Sequence, residues 1–173
     1  MTQEQPYTVI RGYDTFELRH YPDYVLIQVT VQGDFMRAGN VAFGPLVSYI
    51  SGNNARGQKI AMTAPVLQET KAEETHTVSF VLPEGMDIES VPVPLNSRVV
   101  RTAVPAHNAA VMKFGGGWND ARFQANADKL LRDVSAAGLT PVGNPYFARF
   151  DPPWKPWFLK RNEVLVAVAP IVI

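Results

Sequence analysis

The strongest constraint on the fold of this chain is an order of secondary structure elements that occurs twice. Two strands, a helix and two more strands are predicted from about residue 7 to 83, and again from about 97 to 170. One helix cannot cover a sheet of paired strands alone, so the two units are expected to join. The sequence therefore predicts a single α+β domain over residues 1–173. In it, duplicated ββαββ units form an antiparallel sheet, a distorted barrel, with two helices packed on it and a cleft between the halves.

In the first unit, alternating apolar residues predict a strand over 24–31, and Tyr21-Pro22-Asp23 before it predicts a hairpin connection to the preceding strand. Apolar residues then recur at helical spacing from 35 to 50, where Pro45 is expected to kink or split the helix. The four strands of this unit are predicted over 16–20, 24–31, 60–67 and 75–82.

In the second unit, Asn119 is a good N-cap for a helix that ends at Gly138. Gly115-Gly-Gly before this helix lacks the lysine and hydroxyl residue of a phosphate-binding loop, and indicates a turn. The four strands of this unit are predicted over 99–104, 109–114, 146–150 and 163–168. Phe35 and Trp118 stand at equivalent places in the two units.

Composition excludes several classes of function. Sixteen Lys and Arg balance sixteen Asp and Glu, so no global field favours nucleic acid or an anionic membrane. The absence of cysteine excludes disulfides, thiol nucleophiles and thiolate metal sites. The start of the chain shows no signal peptide, and no apolar run approaches eighteen residues. We therefore expect a cytoplasmic monomer without nucleic acid or membrane partners.

The histidines do not indicate a metal or catalytic cluster. His20, His76 and His107 fall in three different predicted elements, and no serine stands in a nucleophile elbow. His107 is expected in a solvated turn. His20 and His76 face either the core or a pocket, and the sequence leaves both open. No catalytic residues are predicted.

The segment from Phe150 to Phe158 is unusual because it contains three prolines, which make it stiff, and several large aromatic residues. Lys155, Lys160 and Arg161 supply positive charge around it, so a flat anionic ligand fits its chemistry. Alternatively, its tryptophans cap the hydrophobic core, or the loop binds a protein partner.

Glu163 is a carboxylate at the start of an otherwise apolar strand. It is expected to pair with Arg161 or with a backbone partner. If it instead faces the cleft unpaired, it favours a cationic ligand or acts as a proton carrier.

Several strings, taken together and in order, resemble the SOUL haem-binding protein family. They are Phe16-Glu-Leu-Arg19, Gly57-Gln-Lys-Ile-Ala-Met-Thr-Ala-Pro-Val66, Val78-Ser-Phe-Val-Leu-Pro83, Phe150-Asp-Pro-Pro-Trp-Lys-Pro-Trp157 and Arg161-Asn-Glu-Val164. The resemblance implies the duplicated antiparallel sheet with two helices, and a carrier that binds haem or free porphyrin non-covalently in a hydrophobic surface cleft, without catalysis of its own.

By position, the resemblance implies a slot formed by the first helix, the Met-Thr-Ala-Pro string and the aromatic loop. Its residues would be Asn40, Phe43, Val47, Met62, Trp154, Lys155 and Arg161. The axial iron ligand would be His20, Met62 or no protein group. A more distant similarity, to sensor domains related to the gyrase-inhibitory protein, implies instead a cationic small molecule held by Glu163, or a hydrolase on the same scaffold.

Overall fold

The structure, a computed structural model, describes residues 3–117, 119–151 and 155–170, apart from the Trp157 side chain. The helices are α1 (Phe35–Ile50) and α2 (Asp120–Ala136), and Trp157–Leu159 forms one short 3-10 turn. The strands in chain order are β1 (Gln3–Glu4), β2 (Thr8–Gly12), β3 (Glu17–Tyr21), β4 (Tyr24–Gln32), β5 (Thr63–Ala64), β6 (Val66–Ala72), β7 (Thr75–Val81), β8 (Val100–Val104), β9 (His107–Gly115), β10 (Pro141–Arg149) and β11 (Arg161–Val168).

The chain divides into two compact units. The α1 unit combines the N-terminal residues up to Gln5 with Asp23–Pro105. The α2 unit combines Pro6–Pro22 with the chain from Ala106 onward. These boundaries differ from those of the two predicted halves, 7–83 and 97–170, so the internal repeat stays a prediction.

In the α1 unit, four antiparallel strands lie in the order β6-β7-β4-β8, and the short strands β1 and β5 pair in parallel. Helix α1 packs on β4 and β7. Its buried residues Ala42, Leu46 and Tyr49 meet Ile27 and Phe80 of the sheet in one apolar cluster. The opposite face of β4 carries Gln28 and Thr30, because side chains alternate along a strand.

In the α2 unit, five antiparallel strands lie in the order β2-β3-β9-β11-β10. Helix α2 packs on β9, β10 and β11. Its Phe123 is fully buried, with its ring against Phe114 and Phe147 at centroid distances of 4.9 and 5.0 Å. The α+β class, with two helices on antiparallel sheet, is confirmed. Neither unit's sheet closes on itself, since β8 ends one and β2 ends the other among the described strands.

The predicted hairpin at Tyr21-Pro22-Asp23 is wrong. Strand β3 pairs with β2 and β9, whereas β4 pairs with β7 and β8. The same exchange occurs at Pro105, where β8 stays with β4 while β9 joins β3 and β11. The turn residues were read correctly, but they connect the two units instead of two paired strands.

Both helices begin at a side-chain cap. Asp34 accepts a hydrogen bond from the backbone N–H of Arg37 at 2.8 Å, and Asn119 accepts one from Arg122 at 3.1 Å. The predicted cap at Asn119 is thus confirmed. Helix α1 contains Pro45 yet runs unbroken over its full length, so the expected split is wrong. Among the described residues, no helix has the length and apolarity needed to cross a membrane.

Candidate functional site

Helix α1 exposes an apolar stripe beside its buried face. Met36, Asn40, Phe43 and Val47 follow one another at helical spacings and therefore line one side of the helix; we call them the α1 stripe. Phe43 is 44% exposed and Met36 is 46% exposed. Such large apolar side chains are usually buried, so this surface has a composition that favours an apolar ligand.

The α1 stripe is held in place by the core beneath it. The Phe43 ring meets Phe80 edge to face, with centroids 5.4 Å apart. Val47 and Met62 are partly buried and pack against the same apolar cluster. Phe43, Val47 and Met62 are therefore all anchored on the core of the α1 unit. The structure thus brings four of the predicted site residues, Asn40, Phe43, Val47 and Met62, into this unit.

The predicted cationic residues lie in the α2 unit, where Asp151 holds them. The Lys155 ammonium lies 2.7 Å from one Asp151 oxygen, and the other oxygen accepts the backbone N–H of Arg161. The Arg161 guanidinium lies over the Phe150 ring, 3.8 Å from its centroid. Asp151 therefore ties together the two ends of the predicted aromatic loop. Trp154, a further predicted site residue, lies outside the described residues.

These contacts also set the ionisation of Asp151. Its partial burial favours the protonated form, but the hydrogen bonds and charges of Lys155 and Arg161 outweigh that effect and hold the pKa of Asp151 below its ordinary value. The carboxylate is therefore ionised at neutral pH, and Lys155 already has a counter-ion.

Glu163 is fully engaged inside the α2 unit. The side chain is 1% exposed, and its two oxygens accept hydrogen bonds at 2.9 Å from the two terminal nitrogens of Arg19, which is itself completely buried. Arg161, the partner anticipated from the sequence, lies farther away, with a nitrogen 3.8 Å from the same carboxylate. The expected pairing of Glu163 is therefore confirmed, but its main partner is the Arg19 side chain and not Arg161 or a backbone group.

Sequence reasoning did not single out Arg19. Strand β3 also carries Glu17 and His20, so its residue order does not mark Arg19 as a buried charge. The structure shows the pair of buried opposite charges that the sequence leaves hidden. Burial works against the charge of Arg19, but its bonds with Glu163 and Tyr21 outweigh this and raise the pKa of Arg19.

His76 and His20 both lie within hydrogen-bond distance of neighbouring groups. His76 is buried, with Nδ1 3.0 Å from the Thr70 hydroxyl and Nε2 3.1 Å from the Gly33 carbonyl oxygen, so Nε2 carries the hydrogen. His20 is exposed, and its Nδ1 lies 2.9 Å from the Asn108 Oδ1. In the part of the chain that the structure describes, no group of three potential metal ligands is placed to hold a metal ion.

A cavity of about 350 Å³ opens on the polar face of the α1 unit's sheet. Its lining residues are Gln28, Thr30, Lys71, Thr77, Arg98 and Val100. The two threonine hydroxyls bond each other at 2.9 Å, and Lys71 pairs with Glu69 at 2.9 Å. This lining is hydroxylic and charged, so its chemistry differs from that of the α1 stripe.

Comparison with known proteins gives consistent similarities. The family model described as SOUL heme-binding protein matches residues 2–167. Heme-binding protein 2 of Homo sapiens is 34% identical over 169 residues, which cover 86% of this chain and 80% of that protein. Heme-binding protein 1 of Mus musculus is 27% identical over 135 residues, covering 74% and 70%. The solved C-terminal domain of EcmrR, 14% identical, shares the fold with a TM-score of 0.68 over 95% of this chain and 99% of that one.

Proposed function

Because the chain belongs to the SOUL haem-binding family, we propose that it binds haem or free porphyrin non-covalently and acts as a carrier. The macrocycle lies against the α1 stripe and Met62 in the α1 unit. The observation that carries this proposal is the exposure of Phe43. Its side chain is 44% exposed, on a face of α1 next to the buried face.

The chemistry of the α1 stripe fits a tetrapyrrole. A porphyrin is a rigid apolar disc with two carboxylates on one edge, and it gains free energy mainly by covering apolar surface. Met36, Phe43 and Val47 offer that surface, while Phe80 fixes the orientation of the Phe43 ring. Asn40 adds one amide that can hydrogen-bond a carboxylate edge. The disc therefore meets a surface that needs little ordering before it binds.

The described side chains support recognition of the disc more than of the iron. Haem, when bound, supplies an iron centre whose axial positions accept nitrogen or sulfur ligands. In the α1 unit, Met62 packs against the core, and the buried His76 uses both ring nitrogens in hydrogen bonds. We therefore expect haem and metal-free protoporphyrin to bind with affinities within about tenfold of each other, a difference of about 1.4 kcal/mol.

The test is an absorbance and fluorescence titration with hemin and protoporphyrin side by side. Saturable binding near 1:1 is expected for both ligands. The substitution Phe43→Ala should weaken both about tenfold, because a large part of one phenyl contact is lost. Val41→Ala is the matched control, since Val41 is 51% exposed on the other side of α1 and should leave the affinity unchanged. Uptake that never saturates, or equal effects of the two substitutions, would overturn the proposal.

Lys155, Arg161 and Trp154 stay predictions from the family resemblance. In the α2 unit, Lys155 and Arg161 already interact with Asp151 and Phe150, so a carboxylate ligand would have to compete for them. The alternative in which Glu163 anchors a cationic ligand lacks a supporting observation, since Arg19 already binds both carboxylate oxygens.

A further inference from the structure

The surroundings of Arg19 have the composition of a binding site for an organic cation. Both Glu163 oxygens meet its terminal nitrogens, and Glu17 accepts the Nε hydrogen at 2.6 Å. The Tyr21 hydroxyl accepts a further bond at 2.9 Å. The Tyr7 ring covers the guanidinium, whose central carbon lies 3.9 Å from the ring centroid. Two carboxylates, one hydroxyl and one aromatic face thus converge on a single planar cation.

We propose that Glu163, Glu17, Tyr21 and Tyr7 form a guanidinium-binding site that Arg19 fills from within the chain. The carboxylate of Glu163 matches the fork of a guanidinium with two parallel hydrogen bonds, a match that an ammonium cannot make. The flat aromatic face of Tyr7 selects a planar cation. The chemical class that fits this site is therefore a monosubstituted guanidinium.

Because Arg19 is covalently attached, we expect the native chain to reject free cations here. A tethered group competes at an effective concentration that a dilute ligand does not reach. Arg19 is completely buried, whereas the Glu17 side chain is 25% exposed and Tyr7 is half-buried. The outer wall of the site is thus formed by Glu17 and Tyr7, and a small cation would enter there once Arg19 is shortened. Arg19 thereby keeps this part of the α2 unit closed to other cations.

The substitution Arg19→Ala tests the proposal, because it removes the atoms of ethylguanidinium and leaves Cβ in place. Thermal unfolding is followed with increasing ethylguanidinium in the millimolar range, with ionic strength held constant by sodium chloride. We expect a saturable rise in Tm of about 3 °C or more in this variant, and none in the native chain. Ethylammonium should give a smaller rise, and the neutral ethylurea none.

The double variant Arg19→Ala/Glu163→Gln is the matched control, since it keeps the space but loses the carboxylate. It should show no saturable rise. An equal response of the single and double variants, or no difference between ethylguanidinium and ethylurea, overturns the proposal.

If Arg19→Ala does not fold alone, the yield of folded protein after dilution from urea becomes the measurement. Recovery with ethylguanidinium but not with ethylurea supports the site, and recovery with neither overturns it. The α1 stripe lies in the other unit, so porphyrin binding is measured separately and neither result decides the other.

Discussion

The two helices show opposite ways of using an outer surface. Helix α2 buries Phe123, Ala127, Leu130 and Val134 on one side, and the exposed remainder of the helix consists of polar, charged and alanine residues. Helix α1 also buries one side, but Met36, Val41 and Phe43 lie exposed beside it. Each unit needs only one covered face for its core. The proposed function uses Met36 and Phe43 of this exposed surface, and the substitutions below test whether the core needs them.

The largest expected effect compares the same substitution in both helices. Phe123→Ala should lower the free energy of unfolding by about 3–5 kcal/mol, because Phe123 is fully buried between two aromatic rings. Phe43→Ala should lower it by about 1 kcal/mol or less, since the ring is 44% exposed. Urea unfolding measures both. Similar losses would mean that Phe43 serves the core and would break the contrast between the helices.

The next largest effect is expected at Asp151 in the α2 unit, where a carboxylate holds Lys155 and Arg161. Since the pKa of Asp151 is held below its ordinary value, its ionised form adds stability above about pH 4, and this is lost as the pH falls through its folded pKa. Asp151→Asn should therefore lower stability by about 1–2 kcal/mol at pH 7 and by less at pH 3.

Circular dichroism during urea unfolding gives the free energy of unfolding of both proteins at each pH. Asn keeps the size of the side chain, which makes the substitution a test of charge. A difference between native and variant that is the same at pH 3 and pH 7 would contradict the role of the carboxylate.

The helix caps should behave alike in the two units despite the different outer surfaces. Asp34→Ala and Asn119→Ala each remove a side chain that accepts a backbone N–H in the first turn. Each should lower the free energy of unfolding by about 1 kcal/mol, and Asp34→Asn should restore most of it. Thermal unfolding provides the measurement. A cap effect found in only one helix would show that the two helices differ in more than their exposed faces.

The smallest effect is expected from exchanging exposed surface between the helices. Met36→Gln on α1 and Gln124→Met on α2 should each change stability by less than about 0.5 kcal/mol, because both positions are exposed. The first should weaken porphyrin binding and the second should leave it unchanged. If Met36→Gln instead lowers Tm by several degrees, the α1 stripe is a part of the core.

Local patterns predicted the elements well, and pairing beyond the local sequence was harder. The apolar spacing from 35 to 50 gave the exact bounds of α1, since one buried face leaves a strong helical period. Strand β2 was missed because all five of its residues are exposed and a bulge follows Val9, which removes any alternation. The hairpin at Pro22 failed for a different reason. A turn sequence specifies a change of direction, whereas the partner of a strand is chosen by distant residues.

The candidate site was predictable to a similar degree. Phe43, Val47 and Met62 were named from a family resemblance, and the structure places them in the α1 unit around one apolar cluster. The partner of Glu163 was not named, because Arg19 lies far from it in sequence. The two residues come together only when β3 and β11 both pair with β9, which lies between them in the sheet. Burial of a charge is a property of the assembled sheet, and the residue order alone does not display it.

The passage of the chain between its two units at Pro6, Pro22 and Pro105 constrains how the protein is made. Strand β3 is synthesised early, but it can pair with β9 only after the chain has been extended past His107, the partner of Tyr21. The intervening stretch, Asp23–Pro105, can assemble first as a continuous segment. A single cut after Pro22 or after Pro105 separates β3 from its partner β9. A circular permutation that links the two chain ends and opens the chain between Pro22 and Asp23 would make each unit continuous in sequence, apart from the residues up to Gln5.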